Sequence, residues 1–169
     1  MLKPLYLLLF ATVLFTSCKE DEDPIPQSFI NGIYENSQQN TDSGLWYVNR
    51  YEFNSNGTFD NFQIIRENQR GPDLGYSYHT KGTYLLRGEN FSIAVTDTYA
   101  VNYEDYPDGY TDSLANLEVQ EISTTFRESS GVLRELENGN KLGIVFECND
   151  MLSSIQAMCI GELLYDKVD

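Results

Sequence analysis

From Phe29 onward the chain is a succession of short apolar or aromatic stretches separated by Asn, Gly and Asp. No window of about eleven residues places its apolar positions at the 3.6-residue period of a helix. Segments of this kind satisfy their backbone polar groups only by pairing with one another, so the pattern predicts strands joined by turns. Leu45, Tyr47, Tyr51 and Phe53 alternate with Trp46, Val48, Arg50 and Glu52, giving one largely aromatic face and one that turns polar toward its end. Asn54-Ser55-Asn56-Gly57 supplies a turn in which Gly57 takes the positive φ of a hairpin bulge, and a second strand follows over 58–66. Residues 67–75, with Asn68, Gly71, Pro72 and Asp73, read as a longer loop before a strand over 76–86. Arg87-Gly88-Glu89-Asn90 turns that strand into Phe91, Ile93 and Val95, whose odd parity Tyr99, Val101 and Tyr103 continue, which predicts a long or bent strand.

An acidic loop at 104–112 precedes a strand beginning at Leu117 and Val119 and another over 132–136. Asn138-Gly139 then leads to Leu142, Ile144, Phe146 and Cys148, and a last strand runs over 155–168 after a turn or short helical interruption at 151–154. The expected fold class is all-β: an antiparallel up-and-down meander of about eight strands, the number at which such a sheet closes into a barrel and removes its exposed edges. A β-sandwich is the alternative that strand count leaves open.

Composition narrows the function. At 169 residues the chain has room for one domain, and 11 Lys and Arg against 26 Asp and Glu give a formal charge of -15, which excludes nucleic-acid binding through a broad basic surface. A hydrophobic share of 41% with 13% aromatic residues separates the chain from disordered acidic tails.

Residues 1–17, MLKPLYLLLFATVLFTS, carry one charge at Lys3 and then an apolar run broken only by Thr12. The run is short for a bilayer span and has the length of a signal-peptide core. It ends in Leu14-Phe15-Thr16-Ser17-Cys18, which resembles a bacterial lipoprotein lipobox, with the usual Leu displaced by one position and Phe15 in its place. The resemblance implies acylation of Cys18 and hence a membrane partner reached through lipid; several acyl chains suffice for stable anchoring, because each buried methylene contributes about 0.8 kcal/mol. Lys19-Glu20-Asp21-Glu22-Asp23 reads as a solvated tether, stiffened by Pro24 and Pro26, and also resembles the Lys-plus-acid signal that carries some lipoproteins to the cell surface. The expected organisation is a signal peptide at 1–17, a tether at 18–28 and a domain at 29–169, in an exported protein anchored in the outer membrane and displayed at the surface.

Gly32-Ile33-Tyr34, the run from Tyr51 to Phe59 (YEFNSNGTF) and the run from Gly82 to Asn90 (GTYLLRGEN) together resemble the lipocalin-like domains of bacterial lipoproteins. That resemblance implies a small β-barrel with an open mouth. Tyr47, Tyr51, Tyr76, Tyr78, Tyr84, Tyr99 and Tyr103 are candidate ligand-binding residues, their flat faces and hydroxyl tips suiting a small amphipathic or sugar-like compound. An anionic ligand would require Arg50, Arg66 or Lys81 near that mouth. The competing reading is a surface interaction module with a filled barrel and no small ligand.

Catalysis is not expected. His79 is the single histidine, and no G-x-S-x-G elbow accompanies it. No cofactor or metal is expected either: Asp105, Asp108 and Asp112 share a loop with Gly109, but their spacing departs from a calcium loop. Cys148 and Cys159 are expected to pair in an exported compartment, with two separately buried thiols as the alternative. The anchor reading has a direct check: labelled palmitate enters the wild-type protein and fails to enter Cys18→Ser.

Overall fold

The alternating stretches pair into one sheet of ten strands in the computed structural model, which describes residues 25–121, 128–147 and 161–168. In chain order they are β1 (Gln27–Ser28), β2 (Gly32–Gln39), β3 (Trp46–Phe53), β4 (Thr58–Arg66), β5 (Asp73–Arg87), β6 (Asn90–Ala100), β7 (Glu118–Val119), β8 (Glu128–Leu136), β9 (Lys141–Phe146) and β10 (Leu163–Val168). Every pairing is antiparallel. Strands β2 to β6 follow one another, β8, β9 and β10 continue the order, and β10 returns to β2, so eight strands form a closed ring. β1 and β7 are short additions on β5 and β6. The meander is therefore closed, and the two-sheet sandwich is not formed.

Closure is uneven around β6. Its first residues pair with β8 over Asn90 to Ala94, whereas Tyr99 and Ala100 pair with β7. A bulge between Lys81 and Gly82 shifts the β5–β6 register, pairing Lys81 with Asp97 but Gly82 with Val95. The bulge ends the parity expected to run from Phe91 to Tyr103: Phe91, Ile93 and Val95 face the core, while Tyr99 turns outward against His79. The chain then leaves the sheet at Val101, because Asn102 accepts turn bonds from the N–H groups of Glu104, Asp105 and Tyr106. Gly82 belongs to the bulge for a steric reason, since a Cβ there would collide with the Ala94 carbonyl.

Other boundaries follow local chemistry. The strand over 58–66 is formed as expected, and Gly57 adopts φ +81 in the turn before it. β5 starts at Asp73, inside the expected loop, because Asp73 pairs in register with Arg66 and binds its guanidinium. The strand expected from Leu117 is the two-residue β7. Cys18, Cys148, Cys159 and the beginning of the strand expected over 155–168 lie outside the described residues.

The interior is packed by side chains from every strand of the ring: Tyr34, Phe53, Phe59, Tyr84, Phe91, Leu133, Ile144 and Tyr165 are all buried in one cluster. Phe53 sits among aromatic partners, stacked on Tyr51 at 5.2 Å between ring centroids and meeting the edges of Tyr84 at 5.1 Å and Phe91 at 6.2 Å. Such pairs add roughly 0.5–1.5 kcal/mol each beyond the area they bury. A second cluster, Val48, Phe62 and Ile64 with Tyr76 against it, lies on the opposite face, as the strand alternation requires.

The two ends of the ring differ. Tight turns at 54–57, 88–89 and 137–140 gather at one end, which we call the closed end. At the other, open end the chain leaves the sheet after β2, β4, β6 and β9, and the stretches of sequence that follow β6 and β9 are long. The N-terminal segment crosses to the closed end, where the Tyr84 hydroxyl accepts from the Ile30 N–H at 2.9 Å. Its own proton is shared between the carbonyls of Ile30 at 2.7 Å and Asn54 at 2.9 Å. Tyr84→Phe removes this buried junction and leaves the Ile30 N–H without its partner, so urea denaturation should show a loss of about 1–3 kcal/mol with the strand content of the native state retained.

Candidate binding site at the open end of the ring

Inward-facing positions change character along the ring. On β3 they read Phe53, Tyr51, Asn49 and Tyr47 from closed to open end; on β2, Tyr34, Asn36 and Gln38; on β4, Phe59, Asn61, Gln63 and Ile65. Aromatic packing thus gives way to neutral amides about half-way up. The Asn61 amide donates to Asn49 Oδ1 at 2.7 Å and to the Arg50 carbonyl at 3.2 Å, and the Tyr165 hydroxyl approaches Asn49 Oδ1 at 3.5 Å. Asn36 donates to the Leu164 carbonyl at 2.7 Å, linking β2 to β10 just beyond their last paired residues, Glu35 and Asp166. Thr80 and Thr98 face each other on β5 and β6 beside Asn61, both buried. These groups form a polar floor above the aromatic core.

The phenols on the core side of that floor stay protonated. Burial pushes the Tyr51 hydroxyl up to about 12, and burial, with Tyr51 next to it, raises Tyr165 still further. Tyr165 therefore remains a neutral donor to Asn49 across the physiological pH range.

Above the floor, a cavity of about 410 Å³ is lined by Gln38, Gln39, Asn40, Thr41, Asp42, Tyr47 and Gln63. Its rim is the β2–β3 loop, held by Asn40, whose Oδ1 accepts from the N–H groups of Asp42 and Ser43, and by Gln39, which donates to the Gly44 carbonyl. Among the described residues, the side chains of Gln38, Tyr47 and Gln63 make no hydrogen bond within the protein; Gln38 and Tyr47 are exposed and Gln63 is half-buried, so two carboxamides and a phenol face the cavity where water reaches them.

The candidate tyrosines fall into separate environments. Tyr47 lines the cavity and Tyr78, paired with Gln63, shares its face. Tyr51 and Tyr84 belong to the packed core. Tyr76 lies against Phe62 and Tyr99 against His79 on the outer face, and Tyr103 is 69% exposed in the connection after β6. Sequence reasoning followed the aromatic residues and passed over Gln38, Asn49, Asn61 and Gln63. The available signal was parity: Asn49 shares the face of Tyr51 and Phe53.

Arg50, Arg66 and Lys81 are outward residues and do not line this end. Arg66 holds both carboxylate oxygens of Glu35 at 2.8 Å and Asp73 at 2.7 Å, while Arg50 binds Glu35 at 2.7 Å and Asp73 at 3.4 Å. This network ties β2, β3, β4 and β5 together across the outside of the ring, beside a cavity of about 570 Å³ that also touches Gln69, Arg70 and Lys167. Lys81 lies over the Tyr99 ring at 5.9 Å. His79 is buried, stacked on Phe62 at 4.3 Å, with Nε2 at 2.8 Å from Asp60 Oδ1. Among the described residues no group of three or more His, Cys, Asp and Glu side chains is arranged to hold a metal ion, Asp105, Asp108 and Asp112 included. No family model, curated protein or solved structure matches the chain.

Burial opposes the charge on Glu35, but the hydrogen bonds and positive charges of Arg66 and Arg50 outweigh it and hold the carboxyl below its ordinary value of 4.5. A carboxylate with a lowered folded pKa contributes stability that is complete above its unfolded pKa and is lost as pH falls through the folded one. Glu35→Gln should cost about 3 kcal/mol at pH 7, because it leaves two guanidiniums sharing Asp73, and should flatten the fall in stability below about pH 4.5 in a series of denaturation curves.

Proposed function

We propose that this is a lipid-tethered protein of the outer membrane, displayed at the cell surface, that holds a small ligand at the open end of its ring without acting on it chemically. The observation that carries this reading is the change of the interior from packed aromatics to a floor of paired neutral amides, with a cavity of about 410 Å³ beyond it into which Gln38 and Gln63 face. Small-molecule sites fall within about 300–1,000 Å³ and set a few convergent polar groups in a largely apolar wall; this cavity has the volume and the polar groups, with Tyr47 as its aromatic surface. The filled-barrel interaction module draws support from the closed half, where the core leaves no role for a guest; on that reading the amides are merely the wet end of a scaffold.

The path of the N-terminus adds an orientation. β1 joins β5 at Leu86 and Arg87, beside the turn at 88–89. A lipid on Cys18 would reach the domain through residues 18–24, at most about 25 Å of extended chain. That tether draws the closed end toward the membrane and turns the mouth away from it, the arrangement a surface receptor for a dissolved compound needs.

The test is native mass spectrometry of the full chain extracted in mild detergent from its own membranes. A small-molecule adduct is expected on the wild type and not on Gln63→Trp, in which an indole fills the mouth. A wild-type protein that is empty in every preparation supports the filled module and overturns the ligand reading.

A further inference from the structure

Resting on that reading, we infer that the compound taken at the open end is a neutral, polyhydroxylated molecule of the carbohydrate class. The inward positions of β2, β3 and β4 carry no charged side chain at all, in a chain of 26 acidic and 11 basic residues. Glu35, Glu52 and Asp60, and likewise Arg50 and Arg66, all project from the opposite face. Ionic groups are thus sorted to the outside of this wall, and its inward positions toward the mouth carry the amides of Gln38 and Gln63, the Tyr47 phenol and Ile65, with Asp42 on the rim.

Each alternative ligand class lacks its partner. An anion would require a cation at this cavity, and none lines it among the described residues: Arg50 and Arg66 are outward and bound to Glu35 and Asp73, and Arg70 belongs to the separate outer cavity. A cation would require inward carboxylates, and the single acid of the cavity wall is Asp42, on the rim. A fatty chain would require an apolar shaft below the mouth, where Phe53, Phe59, Tyr84 and Phe91 already fill the space. Its alkyl tail would instead lie on the amides of the floor and on Gln63, excluding water from the Gln63 carboxamide while offering it no hydrogen bond, an unfavourable exchange.

A sugar meets every group present. Each hydroxyl both donates and accepts, and a carboxamide offers two donors and an acceptor with two lone pairs, so Gln38 and Gln63 can each address neighbouring hydroxyls. The Tyr47 and Tyr78 rings, on the same face as Gln63, supply flat apolar surfaces for the C–H side of a pyranose. Asp42 adds a strong acceptor at the entrance.

Titration calorimetry on the detergent-solubilised full chain decides the matter, with glucose, galactose, lactose and N,N′-diacetylchitobiose as neutral probes and galacturonate and palmitate as charged and amphipathic ones. At least one neutral sugar should bind, and Tyr47→Ala and Gln63→Ala, both cavity-wall changes outside the packed core, should each weaken it at least tenfold while leaving the circular dichroism spectrum unchanged. Binding of palmitate or galacturonate with no neutral sugar bound overturns the carbohydrate assignment and leaves the mouth as a binding site. Sugar binding undiminished in both variants places the sugar elsewhere and also overturns it. If no probe binds and the protein extracted from its own membranes carries no adduct, the ligand reading falls together with the assignment.

Discussion

The return of β10 to β2 is the contact on which the architecture depends. Three register pairs, Glu35 with Asp166, Tyr34 with Lys167 and Ile33 with Val168, convert an open meander into a ring. Without them β2 and β10 would each present a row of unpaired backbone groups, the usual starting point of edge-to-edge association. The aromatic cluster depends on the same contact, because Phe53 and Tyr51 are enclosed only when Tyr165 arrives from the far side, meeting Tyr51 edge-on at 5.5 Å. Contacts between the two ends of the chain also make the topology strongly non-local, so the loop-closure entropy must be met before the core can form.

A strongly acidic chain must also limit its own repulsion. The outer network of Glu35, Asp73, Arg50 and Arg66 does so where repulsion would be most damaging, on four adjacent strands. Exposed ion pairs such as Arg134 with Glu89 are worth little by comparison, because water and salt screen them. The half-buried position of the Glu35 group gives its charges a larger share in stability and explains the outward direction of both arginines: each is held by acids that could not be accommodated among the aromatics.

Much of the fold was legible because turn chemistry and alternation act locally. Gly57, Asn138-Gly139 and the parity of Tyr51 and Phe53 each state a backbone requirement that no distant residue needs to supply. The turn, the strand over 58–66, the all-β class and the number of strands in the ring follow from them. What escaped was set by register between strands. The one-residue bulge at Thr96, opposite Lys81 and Gly82, sends Tyr99 outward, and the pairing of Asp73 with Arg66 lengthens β5; both depend on residues far apart in the chain. The open end was harder to see for another reason. An Asn on a strand carries no β-propensity signal, so Asn49 and Asn61 read as interruptions until their partners show that they face each other inside the ring.

The contrast between the two ends has an energetic logic. Tight turns, the Tyr84 junction and the larger aromatic cluster lie in the closed half. The open half then carries the less favourable groups: inward amides lose water on folding and are compensated by the bonds among Asn49, Asn61 and Tyr165 and by the carbonyls of Arg50 and Leu164. Among the described residues no buried polar side-chain atom lacks a partner, and the amides of Gln38 and Gln63 lie beyond the floor these bonds form, where water reaches them. Their presence above a satisfied floor, with Gln38 and Gln63 turned into the cavity, makes sense where something other than the protein supplies the remaining hydrogen bonds. Water alone can do so, and a hydroxylated solute does it with the same donor and acceptor geometry while also covering Tyr47, which is the physical basis for reading this end of the ring as its binding surface.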